Sequence, residues 1–231
     1  MTAKIPGRKR PRERTVRLIS VPEGCFMTEN SGRRFSTIML VMAAVMSAIG
    51  VVLALYIHFP LVPAVPFLEY DPADIVIYIC TYVFGIPVGL AMTVVVSVVQ
   101  GLSVSASSGI IGVVMHIVST GGFVAAAGLT YYALGPKKRG VRADGSRMVL
   151  RLVFATAAGI LATIALMTVW NIIITPEYWK IDRTLFIKEW LWVFVLFNII
   201  KASINGVASA VLTVPFRLLA KRFCGENVIQ G

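Results

Sequence analysis

Trp190-Leu-Trp-Val-Phe-Val-Leu-Phe-Asn-Ile-Ile-Lys-Ala-Ser-Ile-Asn-Gly-Val-Ala-Ser-Ala-Val-Leu-Thr-Val214 is long and apolar enough to cross a bilayer, yet it carries Lys201 at its centre. A cation at that depth costs about 2.5 to 3.5 kcal/mol on insertion scales, so it faces a cavity, a partner or a ligand rather than lipid. Asn198 and Asn205 stand at i−3 and i+4 from the lysine, which places all three on one helical face. A polar stripe inside a spanning helix implies a polytopic membrane protein with a functional interior.

The rest of the chain agrees. Of 231 residues, 57% are hydrophobic and only 14% charged, with a mean hydropathy of +0.81, more apolar surface than a soluble domain can cover. Three scattered cysteines suggest neither a disulfide framework nor a metal site. Measured against the roughly 20 residues a spanning helix needs, six apolar runs emerge: 35–57, 74–84, 86–104, 109–134, 148–174 and 187–219. The second is short, and Gly85 and Pro87 punctuate its junction with the third, so the pair reads as a tight helical hairpin. The expectation is an all-α, six-helix membrane bundle over 35–220, with a basic N-terminal tail over 1–34 and a short tail over 221–231.

Charge orients this bundle. Lys4, Arg8, Lys9, Arg10, Arg12, Arg14, Arg17, Arg33 and Arg34 precede the first run, Lys137, Lys138, Arg139, Arg142, Arg147 and Arg151 join the fourth to the fifth, and Arg217, Lys221 and Arg222 close the sixth. Six helices put all three clusters on one side, which the positive-inside rule makes cytoplasmic. The formal charge of +11 therefore requires no nucleic acid. Contact of the tail with anionic lipid or an acidic partner is the alternative to orientation alone.

Catalysis finds no support in the motifs. There is no Gly-x4-Gly-Lys-Ser/Thr phosphate loop, so an energy source would have to lie in another chain. His58 and His116 lack a ligand-type neighbour on their own helix faces, which argues against zinc. Ser103, Ser105, Ser107 and Ser108 crowd one loop without a Gly-x-Ser-Gly nucleophile turn.

Binding is better supported. Asn171 ends the fifth run and Asn198 and Lys201 begin the sixth, so antiparallel helices bring them to the same half of the membrane. Two carboxamides and an ammonium suit a flat heterocycle with carbonyls and ring nitrogens. Each also has a structural alternative: amides hold helices together, and the lysine can pair with a carboxylate such as Asp74. The loop 58–74, with prolines at 60, 63, 66 and 72, is stiff and apolar enough to fold over something, or to anchor Phe67 and Tyr70 at headgroup level. Asp71 or Asp74 can serve as the N-cap of the second helix, with Asp74 the favoured candidate.

Phe67-Leu-Glu-Tyr-Asp-Pro-Ala-Asp-Ile75, Phe84-Gly-Ile-Pro-Val-Gly-Leu90, Gly112-Val-Val-Met-His-Ile-Val-Ser-Thr-Gly121, Asn171 with Thr175-Pro-Glu-Tyr178, and Phe197-Asn-Ile-Ile-Lys201 occur in this order. Together they resemble the riboflavin-binding S components of energy-coupling factor (ECF) transporters over roughly 35–220. The resemblance implies a substrate-binding subunit, not an enzyme, in the bacterial cell membrane. Riboflavin is its bound substrate, no cofactor or metal is needed, and its partners are a transmembrane coupling subunit and two ATPase subunits. By the same resemblance Asn171, Asn198 and Lys201 bind the flavin ring, and Phe67, Leu68, Glu69, Tyr70 and Asp71 cover it. Phe67, Tyr70, Trp170 and Trp190 are the aromatic candidates for the apolar wall. Ala44 and Ala48 on the first helix form the small-xxx-small surface that would dock the coupling subunit. Leu196 departs from the family's usual proline, which would straighten the sixth helix. Two alternatives stay open: an S component for thiamine, biotin or pantothenate, and an independent secondary transporter or channel.

Overall fold

The computed structural model describes residues 37–61, 68–103, 109–135 and 145–224. Phe67, Ser105, Ser107, Ser108 and both tails as expected above fall outside these, apart from 221–224, where α7 ends. Along the described chain run α1 (Thr37–Tyr56), β1 (Phe59–Pro60), β2 (Glu69–Tyr70), α2 (Ala73–Phe84), α3 (Ile86–Leu102), α4 (Gly109–Ala133), α5 (Gly145–Trp179), α6 (Arg183–Glu189) and α7 (Leu191–Cys224). Four of these, α1, α4, α5 and α7, are long and apolar enough to cross a membrane, while α2 and α3 are shorter apolar helices.

Helix α2 sits at the centre. Every residue from Ala73 to Phe84 except Ile75 is buried, and the helix packs against α1, α3, α4 and α7. A helix of 12 residues that carries Asp74 in its first turn is too short and too polar there to face lipid along its length, which suits the interior of the bundle. Tyr78 stacks on Phe123 of α4 with ring centroids 3.7 Å apart, and Tyr82 bonds Thr156 of α5 at 3.1 Å. The outer helices are inside-out by soluble standards: Leu40, Val41, Val45, Ile49 and Val52 of α1 all face outward.

The turn into α3 uses Gly85 at φ 107°, a left-handed conformation that a side chain resists. Pro87 follows in the first turn of α3, where its missing N–H costs nothing. The tight hairpin expected from Gly85 and Pro87 is thus present.

Two boundaries differ from expectation. Helix α5 passes through Pro176, which lacks the N–H for the bond to Ile172, and ends one turn later at Trp179. The chain then turns through Lys180 at φ 57°. Asp182 next accepts the amides of Thr184 (2.8 Å) and Leu185 (3.2 Å), capping the separate seven-residue helix α6. The stretch expected as one helix from Ile187 is therefore α6 plus α7. Through Leu196, α7 runs unbroken.

At the end opposite the hairpin β1–β2, Arg151 donates from Nε and Nη2 to the carbonyl of Tyr131 (3.3 and 2.9 Å), in the last turn of α4. Its guanidinium also lies 4.3 Å from the Tyr131 ring centroid, and Arg217 Nη1 donates to the Tyr131 hydroxyl at 2.9 Å. The negative end of a helix dipole favours such a cation.

Candidate functional site

Strand β2 brings residues 68–71 back over the bundle. It pairs antiparallel with β1, Phe59 opposite Tyr70, and their rings lie 5.3 Å apart. Three bonds then fasten this segment to α7: Tyr70 OH donates to Asn205 Oδ1 (2.8 Å), Asn205 Nδ2 donates to the Asp71 carbonyl (3.1 Å), and Lys201 Nζ donates to Asp71 Oδ2 (2.8 Å). The stripe read from spacing on α7 is therefore real, and two of its three members meet the β2–α2 segment. Lys201 pairs with Asp71 more closely than with Asp74, whose Oδ2 lies 3.9 Å away.

Asp74 is not the N-cap expected for α2. Pro72 holds that position with no side-chain cap bond, and Asp71 Oδ1 accepts the Ala73 amide at 3.2 Å instead. Asp74, in the first turn, turns inward and accepts from Thr120 Oγ1 (2.7 Å) and Asn205 Nδ2 (3.3 Å). His116 of α4 places Nε2 3.4 Å from Asp74 Oδ1, and its Nδ1 lies 2.7 Å from Ser97 Oγ. Ligand atoms of Asp71, Asp74 and His116 all fall within 4.8 Å of one another. Reading His116 along its own helix missed this grouping, because its neighbours come from α2. The ammonium of Lys201 already supplies the positive charge there, so the group is an ion-pair network as it stands.

Above this network lies a cavity of about 400 Å³, within the range of small-molecule sites. Asn171, Asn198 and Lys201 all line it, as do Leu68, Glu69 and Asp71. Tyr70 does not; its hydroxyl is spent on Asn205. The aromatic wall comes from Trp179, Phe194 and Phe197, with Tyr178 beside them, rather than from Trp170 or Trp190. Trp190 instead backs that wall, its ring centroid 5.8 Å from Trp179. Ser97, Gln100 and His116 form a polar wall on α3 and α4; Ser97 and Gln100 went unread, since they carry no motif and face inward only by helix packing, and His116 was read only within the 112–121 motif and against zinc.

The convergence has a simple origin. Asn171 lies near the end of the apolar part of α5 and Asn198 about two turns into α7, and the short α6 between the two helices returns the chain to the same level. Each asparagine uses one amide hydrogen on its own helix: Asn171 Nδ2 on Met167 O and Asn198 Nδ2 on Phe194 O, at 2.7 and 2.8 Å. Thr175 Oγ1 further donates to Asn171 Oδ1 at 3.0 Å, which fixes the amide's orientation. One N–H per amide and two hydrogens of the Lys201 ammonium remain for a cargo.

Ala44 and Ala48 lie elsewhere, exposed on the outer side of α1.

Residues 39–214 match the family of ECF transporter substrate-specific components. The chain belongs to that family. No curated protein matches it. A solved S component of a bacterial ECF transporter shares the fold, with a TM-score of 0.59 and 18% identity over 79% of this chain and 97% of that one. As an ECF substrate-specific component the chain is a multi-pass membrane protein that binds a transported substrate and is not an enzyme; such components associate with transmembrane and ATPase modules in the membrane.

Proposed function

We propose that this S component captures riboflavin from outside the cell for ATP-driven uptake by a coupling subunit and two ATPase subunits. The observation that carries the reading is the meeting of Asn171, Asn198 and Lys201 on one cavity beneath the β2 segment. These are the three positions that the sequence resemblance assigns to the flavin ring. A pyrimidinedione edge alternates donors and acceptors in one plane, which carboxamides and an ammonium can match. The dimethylbenzene end needs apolar and aromatic contact, available from Phe194, Phe197 and Trp179. A cargo without the carbonyls would leave buried amides unpaired and bind poorly.

Purified in mild detergent, the protein should quench the fluorescence of added riboflavin, and thiamine, biotin or pantothenate should not compete. No flavin effect at micromolar concentration would overturn the assignment, and competition by one of the others would transfer it to that vitamin. Ala44 and Ala48 support the partner reading: an exposed small-residue face on α1 permits close helix approach. Ala44→Trp with Ala48→Trp should leave riboflavin binding intact while abolishing co-purification with the coupling subunit. Undiminished co-purification would move the docking surface elsewhere.

A further inference from the structure

Two polar atoms of described residues lining the cavity are buried without a hydrogen-bond partner, Gln100 Oε1 and His116 Nε2; the histidine nitrogen has the Asp74 carboxylate 3.4 Å away, whereas Gln100 has no task in this arrangement. Gln100 is 7% exposed, and its Oε1 is buried without a hydrogen-bond partner. Native interiors leave few such groups unsatisfied, and each needs an account. Its neighbour on the same face of α3, Ser97, is fully engaged: the hydroxyl lies 2.6 Å from Thr93 O and 2.7 Å from His116 Nδ1. Gly101 completes the face, and a Cβ there would fall 2.0 Å from Val113 Cγ2 of α4. The two helices are thus closely packed at this level, and the backbone that carries Gln100 is held in place.

Gln100 approaches the cavity from a different side than the asparagines. Helix α3 packs on α1, α2 and α4, whereas Asn171 and Asn198 belong to the α5–α7 pair. An unpaired carbonyl needs a donor, an unpaired NH₂ needs an acceptor, and a hydroxyl supplies both.

Building on the flavin reading of this cavity, we infer that Gln100 binds a hydroxyl of the cargo's polyol chain, so that the α3–α4 wall reads the chain while the α5–α7 wall reads the ring. Riboflavin and lumiflavin share the ring system and differ in that chain, which lumiflavin lacks. Fluorescence titration of both against the full-length protein in detergent should show Gln100→Leu weakening riboflavin about tenfold, the loss of one buried hydrogen bond. Lumiflavin binding should be unchanged, which also shows that the variant is folded. Equal loss for both flavins, or loss for neither, overturns the inference and leaves the flavin reading standing. Failure of the unsubstituted protein to bind either flavin overturns both.

Discussion

Lys201 is stabilised at membrane depth by what surrounds it. Asp71 lies 2.8 Å away, Asp74 3.9 Å, and both carboxylates are themselves hydrogen-bonded. For Asp71, burial is the largest influence and would raise the carboxyl pKa, but the Lys201 ammonium, His116 and the hydrogen bonds from Lys201 and the Ala73 amide together outweigh it and hold the group below its ordinary value. A carboxyl with a depressed folded pKa contributes stability that is present above its unfolded value and lost as pH falls through the lower folded one. Thermal melting in detergent should therefore stay level down to about pH 4 and drop only below that, and Asp71→Asn should weaken the acid drop. Lys201→Met leaves two carboxylates facing each other and should cost about 3 to 5 kcal/mol at neutral pH. Adding Asp71→Asn to it should recover part of the loss; strictly additive losses would mean the pair is not coupled. The stripe Asn198, Lys201, Asn205 was legible because i, i+3 and i+4 spacing is local. Asp71, 130 residues away, was legible only as part of the loop expected to cover the ligand and not as the partner of Lys201, since no spacing on α7 reports what packs against it.

Among the elements, helix ends and close approaches carry most of the specificity. Gly159 of α5 faces α4 so closely that a Cβ would sit 2.9 Å from Ala127 Cβ and from the Phe123 ring. Phe123 in turn stacks on Tyr78 of α2. Gly159→Val should therefore push the ring, disturb the central helix and cost about 1 to 3 kcal/mol, whereas Leu161→Val on the lipid side should be nearly silent. Melting curves of the two variants decide it, and equal small shifts would show that the α4–α5 contact is loose. Apolar run lengths exposed α1, α4 and the α2–α3 hairpin, because hydrocarbon thickness and glycine conformation act directly on local sequence. Helix α6 was missed for the converse reason: it is too short and too mixed in character for a run to reveal it. Its one local signal was Asp182 placed to cap Thr184 and Leu185.

For the molecule as a whole, composition dictated a membrane solvent, and the described helices, with apolar side chains outward and the polar network of Asp71, Asp74, His116 and Lys201 inward, obey it. What composition did not reveal was which helix lies innermost. Helix α2 has only 12 residues, fewer than a bilayer crossing requires, and carries buried Asp74 in its first turn. That sets an order of assembly. Alone, α2 has neither the length nor the polarity to stay in hydrocarbon; it becomes stable only when Thr120 of α4 and Asn205 of α7 supply partners for its carboxylate. During synthesis, then, the α2–α3 hairpin must wait in a provisional position until the last helix emerges. Chains truncated before α7 should leave Cys80, wholly buried in the finished fold, open to a membrane-permeant thiol reagent, and full-length chains should protect it. Equal protection in both would mean that α2 is seated early, without its final neighbour.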